Sequence, residues 1–223
     1  MGAPPADALD DLRERCVERL IAGEAREAQA LVEEALARAP AAVVYRELLT
    51  EALYEVGRRW QHGEIGVGEE HLATGICEHV LPDLAARLPR RPRCRRVAIV
   101  ACAPWELHAL GSRIVADFLD AGGWDVLYLG ALVPASVLVE LTLARRAEVV
   151  ALSATTARSA AELEDVCARL QRLARPPLVA VGGQALDLDG LPPLEGTLLV
   201  RTPEALVALL AERFPLGGGA AAG

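Results

Sequence analysis

No stretch of this chain is apolar for the roughly 20 residues a membrane span requires, although 52% of its residues are hydrophobic. A basic, apolar, small-residue leader is also missing. The expectation is a soluble, cytoplasmic protein with no membrane partner. Cysteine is sparse and odd in number, at positions 16, 77, 94, 102 and 167, and no two form a CxxC pair. That argues against a zinc knuckle or disulfide framework and for reduced, mostly buried thiols. Positive charge is in deficit: 23 Lys and Arg against 31 Asp and Glu give a formal charge of −8. Direct nucleic-acid binding, which needs a cationic footprint on phosphate, is disfavoured. The one basic run, Arg87, Arg90, Arg91, Arg93, Arg95 and Arg96, is interleaved with Pro89 and Pro92 and reads as a solvated linker. Neither GxGxxG nor Walker-type glycines occur, so dinucleotide and nucleoside-triphosphate sites are excluded as first readings.

What is present falls into two patterns. Residues 6–88 are rich in Ala, Leu, Glu and Arg, which are strong helix formers. Leu9, Leu12, Cys16, Val17, Leu20 and Ile21 recur at helical spacing, and Gly23 breaks the chain. A second helix is predicted over 24–38 and a third over 43–60. A glycine-bearing loop is predicted over 61–68, and a fourth helix over 69–88, kinked near Pro82. From residue 97 onward, short β-branched runs alternate with helical segments. Strands are predicted at 97–101, 124–129, 149–153, 178–181 and 197–200, and helices at 108–121, 134–145, 159–173 and 203–214. The fold class is therefore α/β. A four-helix bundle (1–88) leads through a linker (89–94) to a doubly wound parallel-sheet domain of Rossmann or flavodoxin type (95–214). A flexible tail (215–223) follows. Ligands bind such sheets at the carboxyl ends of strands, near the point where strand order reverses.

Four constellations carry chemistry. Glu106-Leu107-His108-x-x-Gly111 follows the first strand: an imidazole placed to ligate a metal, a carboxylate to orient its other ring nitrogen, and a glycine that admits a bulky group. A lone loop histidine is more often simply hydrogen-bonded. Ser153-Ala154-Thr155-Thr156 ends the third strand, where hydroxyls either cap the next helix or bond a ligand. Gly182-Gly183 ends the fourth, as a plain turn or a close approach to a planar ligand. In the helical half, Trp60 is followed after nine residues by Glu70-His71. Read alone, that is a core Trp and a solvated pair.

Together the first three resemble the cobalamin-binding domain of methionine synthase, B12 mutases and B12 photoreceptors, over about 95–214. The resemblance implies that His108 replaces the vitamin's own base on cobalt and that Glu106 is its partner. It implies that Ser153, Thr155, Gly182 and Gly183 line the slot for the nucleotide tail, with Leu129, Gly130 and Pro134 beside the corrin. The fourth constellation resembles the W-x9-EH motif of adenosylcobalamin-dependent photoreceptors, over about 43–88. That implies a bundle over the upper face of cobalamin, with Trp60 packed on the adenosyl group and Glu70 bonded to it. In light-sensing repressors of this kind a His directly follows the Trp. Here Gln61 stands there and His62 one place on, so the ligand that replaces adenosyl after photolysis stays open between His62, His71 and water.

The function expected is a non-enzymatic adenosylcobalamin light sensor. Its output is a change in domain packing or homo-oligomerisation read by a protein partner, not by an operator. Photocobilin-type relatives also carry a bilin, so biliverdin is a candidate second chromophore. The alternative is a methylcobalamin carrier in a corrinoid methyltransferase system. A cofactor-free interaction domain requires four separate coincidences, and a mutase would need a substrate barrel that the chain lacks.

Overall fold

The structure, a computed structural model, describes residues 9–188 and 194–215. The expected tail lies outside the described residues from 216 on, as do residues 1–8. Two compact units divide between Leu88 and Pro89.

The first unit is helical. Helix α1 (Asp10–Ile21) buries Leu12, Cys16, Val17 and Leu20, the inward stripe read from the sequence. It ends at Ala22-Gly23, where Gly23 takes a left-handed φ of 72°. Helix α2 (Ala25–Arg38) buries Ala28, Leu31, Val32 and Ala35 and stops before Pro40. The third helix, α3, spans residues 41–61 and is not regular. Between a short opening turn (Ala41–Val43) and the α-helical Glu51–Gln61, residues Val44–Thr50 form a π-helix. The Thr50 hydroxyl donates to the Tyr45 carbonyl (2.8 Å), and the buried Tyr45 hydroxyl donates to the Leu81 carbonyl (3.1 Å). Helix α4 runs from Val67 to Ala86, straight through Pro82. It starts two residues earlier than expected because Glu69 Oε2 accepts from the Gly66 N–H (2.9 Å), satisfying one of the N-terminal donors. No helix among the described residues is long and apolar enough to cross a membrane.

The second unit is a five-stranded, all-parallel sheet in the order β2-β1-β3-β4-β5. The strands are β1 (Val97–Cys102), β2 (Asp125–Gly130), β3 (Val149–Ser153), β4 (Leu178–Gly182) and β5 (Thr197–Leu199). Helices α5 (Leu110–Ala121), α6 (Ala135–Arg145), α7 (Ala157–Gln171) and α8 (Pro203–Arg213) connect or follow them. Two apolar layers sandwich the sheet. One centres on Ile99, Val150, Leu163 and Val181, the other on Val100, Leu119, Ala151 and Leu210. β1 pairs with β2 on one side and β3 on the other, so Ile99 sits opposite both Leu127 and Val150. The strand order reverses at this pair, which opens the crevice at the carboxyl ends of β1 and β3.

Residues 89–93 are exposed, as a solvated linker would be, and they are also tied down by hydrogen bonds and ion pairs within the second unit. The Arg91 and Cys94 N–H groups donate to the carbonyls of Ala121 (2.7 Å) and Gly123 (2.8 Å). Arg90 and Arg93 both pair with Asp120 at 2.8 Å. The arginines are fixed by the carboxylate and carbonyls at the end of α5, a partner set that composition does not reveal.

Candidate functional site

The loop from 103 to 109 leaves β1 at the crevice. His108 lies in it, ahead of α5, and not on the helix as the periodicity predicts. Its neighbour Glu106 has no exposed surface at all. A buried carboxylate must be paired or hydrogen-bonded, and this one is saturated. Oε1 accepts from the N–H groups of Leu107 and His108 (2.9 Å each) and from the His108 ring Nδ1 (2.5 Å). Oε2 accepts from the N–H groups of Thr155 (2.7 Å) and Thr156 (3.2 Å) and from the Ser159 hydroxyl (2.7 Å). Burial pushes the Glu106 carboxyl up. The bonds from the His108 ring and N–H, the Ser159 hydroxyl and the Thr155 N–H outweigh burial and hold it at about 2. Glu106 is therefore an anion near neutral pH, and its bonds join the loop after β1 to the start of α7.

With Nδ1 on the carboxylate, the His108 ring is held in orientation, and Nε2 is the ring nitrogen that could coordinate a metal. The side chain is 46% exposed, so the ring is anchored on one edge and presented on the other. The loop is also held from below. The carbonyl of Ala109 accepts from the Ser112 (2.8 Å) and Tyr128 (3.2 Å) hydroxyls, and the buried Cys102 thiol lies 3.7 Å from the His108 carbonyl.

The other expected residues of this unit gather around the same crevice. Gly111 backs onto Ser153, whose Oγ would lie 3.4 Å from any added Cβ. Ser153 is buried at the end of β3 and pairs in register with Gly182. Thr155 contributes its backbone N–H to Glu106, while the Thr156 side chain caps α7 by accepting from the Ser159 N–H (3.2 Å). Gly183 is also needed by the backbone itself. At φ 101° an added Cβ would stand 2.2 Å from the Ala154 carbonyl oxygen, so this glycine lets the β3 and β4 loops touch. Leu129 and Gly130 (φ 73°) close β2, Pro134 caps α6 in extended conformation, and Leu107 is exposed.

In the helical unit, Trp60 is 40% exposed in the last turn of α3. Glu70, in the first turn of α4, accepts from His71 Nδ1 (2.6 Å) and the Thr74 hydroxyl (3.0 Å). The structure thus joins Glu70 to His71 and adds Thr74. The His62 ring Nδ1 is occupied by the Arg58 carbonyl (2.8 Å).

Sequence reasoning did not identify Thr156 and Ser159 as donors to Glu106, nor Ser112 and Tyr128 as supports of the loop. The Thr156-x-x-Ser159 spacing signals a helix cap, but nothing local announces a carboxylate arriving from some fifty residues away. The donor set fits a metal that brings its own macrocycle. His108 offers one pre-oriented imidazole, and among the described residues no three His, Cys, Asp or Glu side chains converge on a bare ion.

Comparison with known proteins agrees with this geometry. Two sequence-family models, each described as a B12 binding domain, match residues 12–82 and 96–191. The chain is 38% identical over 158 residues to the HTH-type transcriptional repressor CarH of Myxococcus xanthus, covering 70% of this chain and 52% of the repressor. It is 33% identical over 135 residues to the repressor CarA of the same organism, covering 60% and 45%. It thus spans about half the length of these relatives. The fold is shared with the monomethylamine corrinoid protein of Methanosarcina barkeri. That comparison has a TM-score of 0.77 at 19% identity, over 92% of this chain and 100% of that one.

Proposed function

Because the chain belongs to the B12-binding-domain family, we propose that it is a cobalamin-dependent light sensor, not an enzyme, and that His108 is the lower ligand to cobalt. The observation that carries the ligand assignment is the 2.5 Å contact between His108 Nδ1 and the buried Glu106. It fixes the tautomer with Nε2 as the nitrogen that would ligate. Ser153, Thr155, Gly111 and Gly182 surround the crevice into which the nucleotide tail would go.

Adenosylcobalamin, when bound, would supply a cobalt–carbon bond that light cleaves. The chain's own contribution is to hold and report. His108 would hold the corrin whether or not an upper group were present. Trp60 offers an exposed indole face to the adenosyl group. Glu70, already an acceptor for His71 and Thr74, has a carboxylate able to bond adenosyl hydroxyls in their place. Loss of that group would return Glu70 to His71 and Thr74 and shift the helical unit between two packings. Support for light as the signal comes from Trp60-x9-Glu70-His71 and from the identity with a repressor pair of which this chain spans about half the length. Its output, on this reading, is self-association or a protein partner. A bilin as second chromophore is a variant of the same reading, and red absorbance after reconstitution with biliverdin would mark it.

The test is to load the protein with adenosylcobalamin in the dark and record its visible spectrum and elution volume before and after green light. The reading requires both to change, and Glu70→Gln to alter the response while leaving corrin binding intact. Spectra that do not change under illumination would defeat the sensor reading. Transfer of a methyl group from bound methylcobalamin to a partner enzyme would favour the carrier alternative.

A further inference from the structure

Among the described residues four that are not glycine adopt left-handed backbone conformations: Arg95, Trp105, Leu132 and Arg146. Two of them are large, apolar and exposed. Trp105 (φ 64°) is 56% exposed and Leu132 (φ 56°) is 53% exposed. Bulky side chains avoid this region, and one held there costs roughly 1–3 kcal/mol unless its surroundings impose it. Both costs are incurred on one structure. Trp105 directly precedes Glu106, and the Leu132 N–H donates to the Glu106 carbonyl (3.1 Å). The loop after β1 and the loop after β2 are thereby joined at the residue whose carboxylate aims His108. Leu107, also exposed, lies between them in the chain's own order. Nor is the Trp105 ring loose. The Arg158 guanidinium, from the first turn of α7, stacks 4.6 Å from its centroid and pairs with no carboxylate among the described residues.

Burying these side chains would remove the exposure, and relaxing their backbones would remove the strain. The fold does neither. Strain persists where a site needs a side chain aimed at something. We propose that Trp105 and Leu132 form the apolar platform that seats the corrin ring around the His108–cobalt bond, with Arg158 holding the indole in position. The proposal rests on the cobalamin reading above and adds to it two contacts that no sequence motif signals. Trp105 and Leu132 bind the macrocycle itself, and Ser153, Thr155, Gly111 and Gly182 bind the nucleotide arm.

The full chain, wild type and with Trp105→Gly or Leu132→Gly, is titrated with aquocobalamin and with cobinamide, the corrin lacking the nucleotide arm. Each ligand is followed by its visible spectrum, and each apo-protein by thermal unfolding. Glycine adopts these backbone angles without strain, so the apo variants melt no lower than the wild type. Burial of a side chain of this size supports about a tenfold change in affinity, and that loss is expected for both ligands in each variant. Trp105→Asn and Leu132→Asn, which also tolerate the left-handed region, are expected to lose as much. Unchanged affinity in the variants overturns the platform. So does a loss confined to aquocobalamin, which would place these residues on the nucleotide arm. A fall in apo melting temperature would show that they serve the fold. Wild-type protein that binds neither ligand overturns the cobalamin reading together with this one.

Discussion

Glu106 is the residue on which the site is organised. The sequence shows a carboxylate two residues before a histidine, and its partnership with the ring is legible at that spacing. Its burial is not, because four of its bonds come from backbone amides and the other two from His108 and from Ser159 across the crevice. Its folded pKa, about 2, lies below its ordinary 4.5. A depressed carboxylate stabilises fully above the unfolded value and ceases to do so as the pH falls through the folded one. Glu106→Gln should therefore lower stability near neutrality, with the gap to wild type narrowing as the pH falls from 4.5 toward 2. Urea midpoints of the apo-proteins measured across that range check this. A gap constant with pH would mean that the charge does not contribute. Gly183 acts through geometry alone. With an added Cβ 2.2 Å from the Ala154 oxygen, Gly183→Ala should destabilise the apo-protein by at least about 2 kcal/mol in denaturant unfolding.

At the scale of elements, the strands were legible because β-branched residues buried on both faces leave short apolar runs, and β3 is found over the 149–153 expected. The helices of the second unit match expectation to within two residues at either end, and caps decide several of the boundaries. Thr156 moves the start of α7, and Pro134 and Thr202 cap α6 and α8. The π-segment of α3 was not legible. Val44–Thr50 reads as an ordinary amphipathic helix, and nothing in it signals the contact that its Tyr45 hydroxyl makes with the Leu81 carbonyl of α4. Tyr45→Phe removes that buried bond while keeping the ring, and should cost about 1 kcal/mol. Chemical denaturation of the apo-protein measures it. A neutral substitution would show that packing, not this hydroxyl, sustains the π-segment.

At the scale of the whole molecule, the chain carries two compact units, each with its own buried apolar residues. The cores protect their thiols: Cys16, Cys77, Cys102 and Cys167 are buried and only Cys94 is partly accessible. Burial pushes the Cys16 and Cys167 thiols up to about 11 and also raises Cys77 and Cys102. Alkylation of the native protein at neutral pH should therefore modify Cys94 first and the other four only after denaturant, as mass spectrometry of the peptides would record. At the crevice the proposed cobalamin site depends on one bond, from His108 Nε2 to cobalt. It is read most directly by electron paramagnetic resonance of the cobalt(II) form bound to protein grown on heavy-nitrogen histidine. If His108 is the ligand, the three-line nitrogen splitting of the unlabelled protein becomes two-line. Splitting that stays three-line on labelling would mean that the vitamin's own base remains on the metal, and would contradict the assignment.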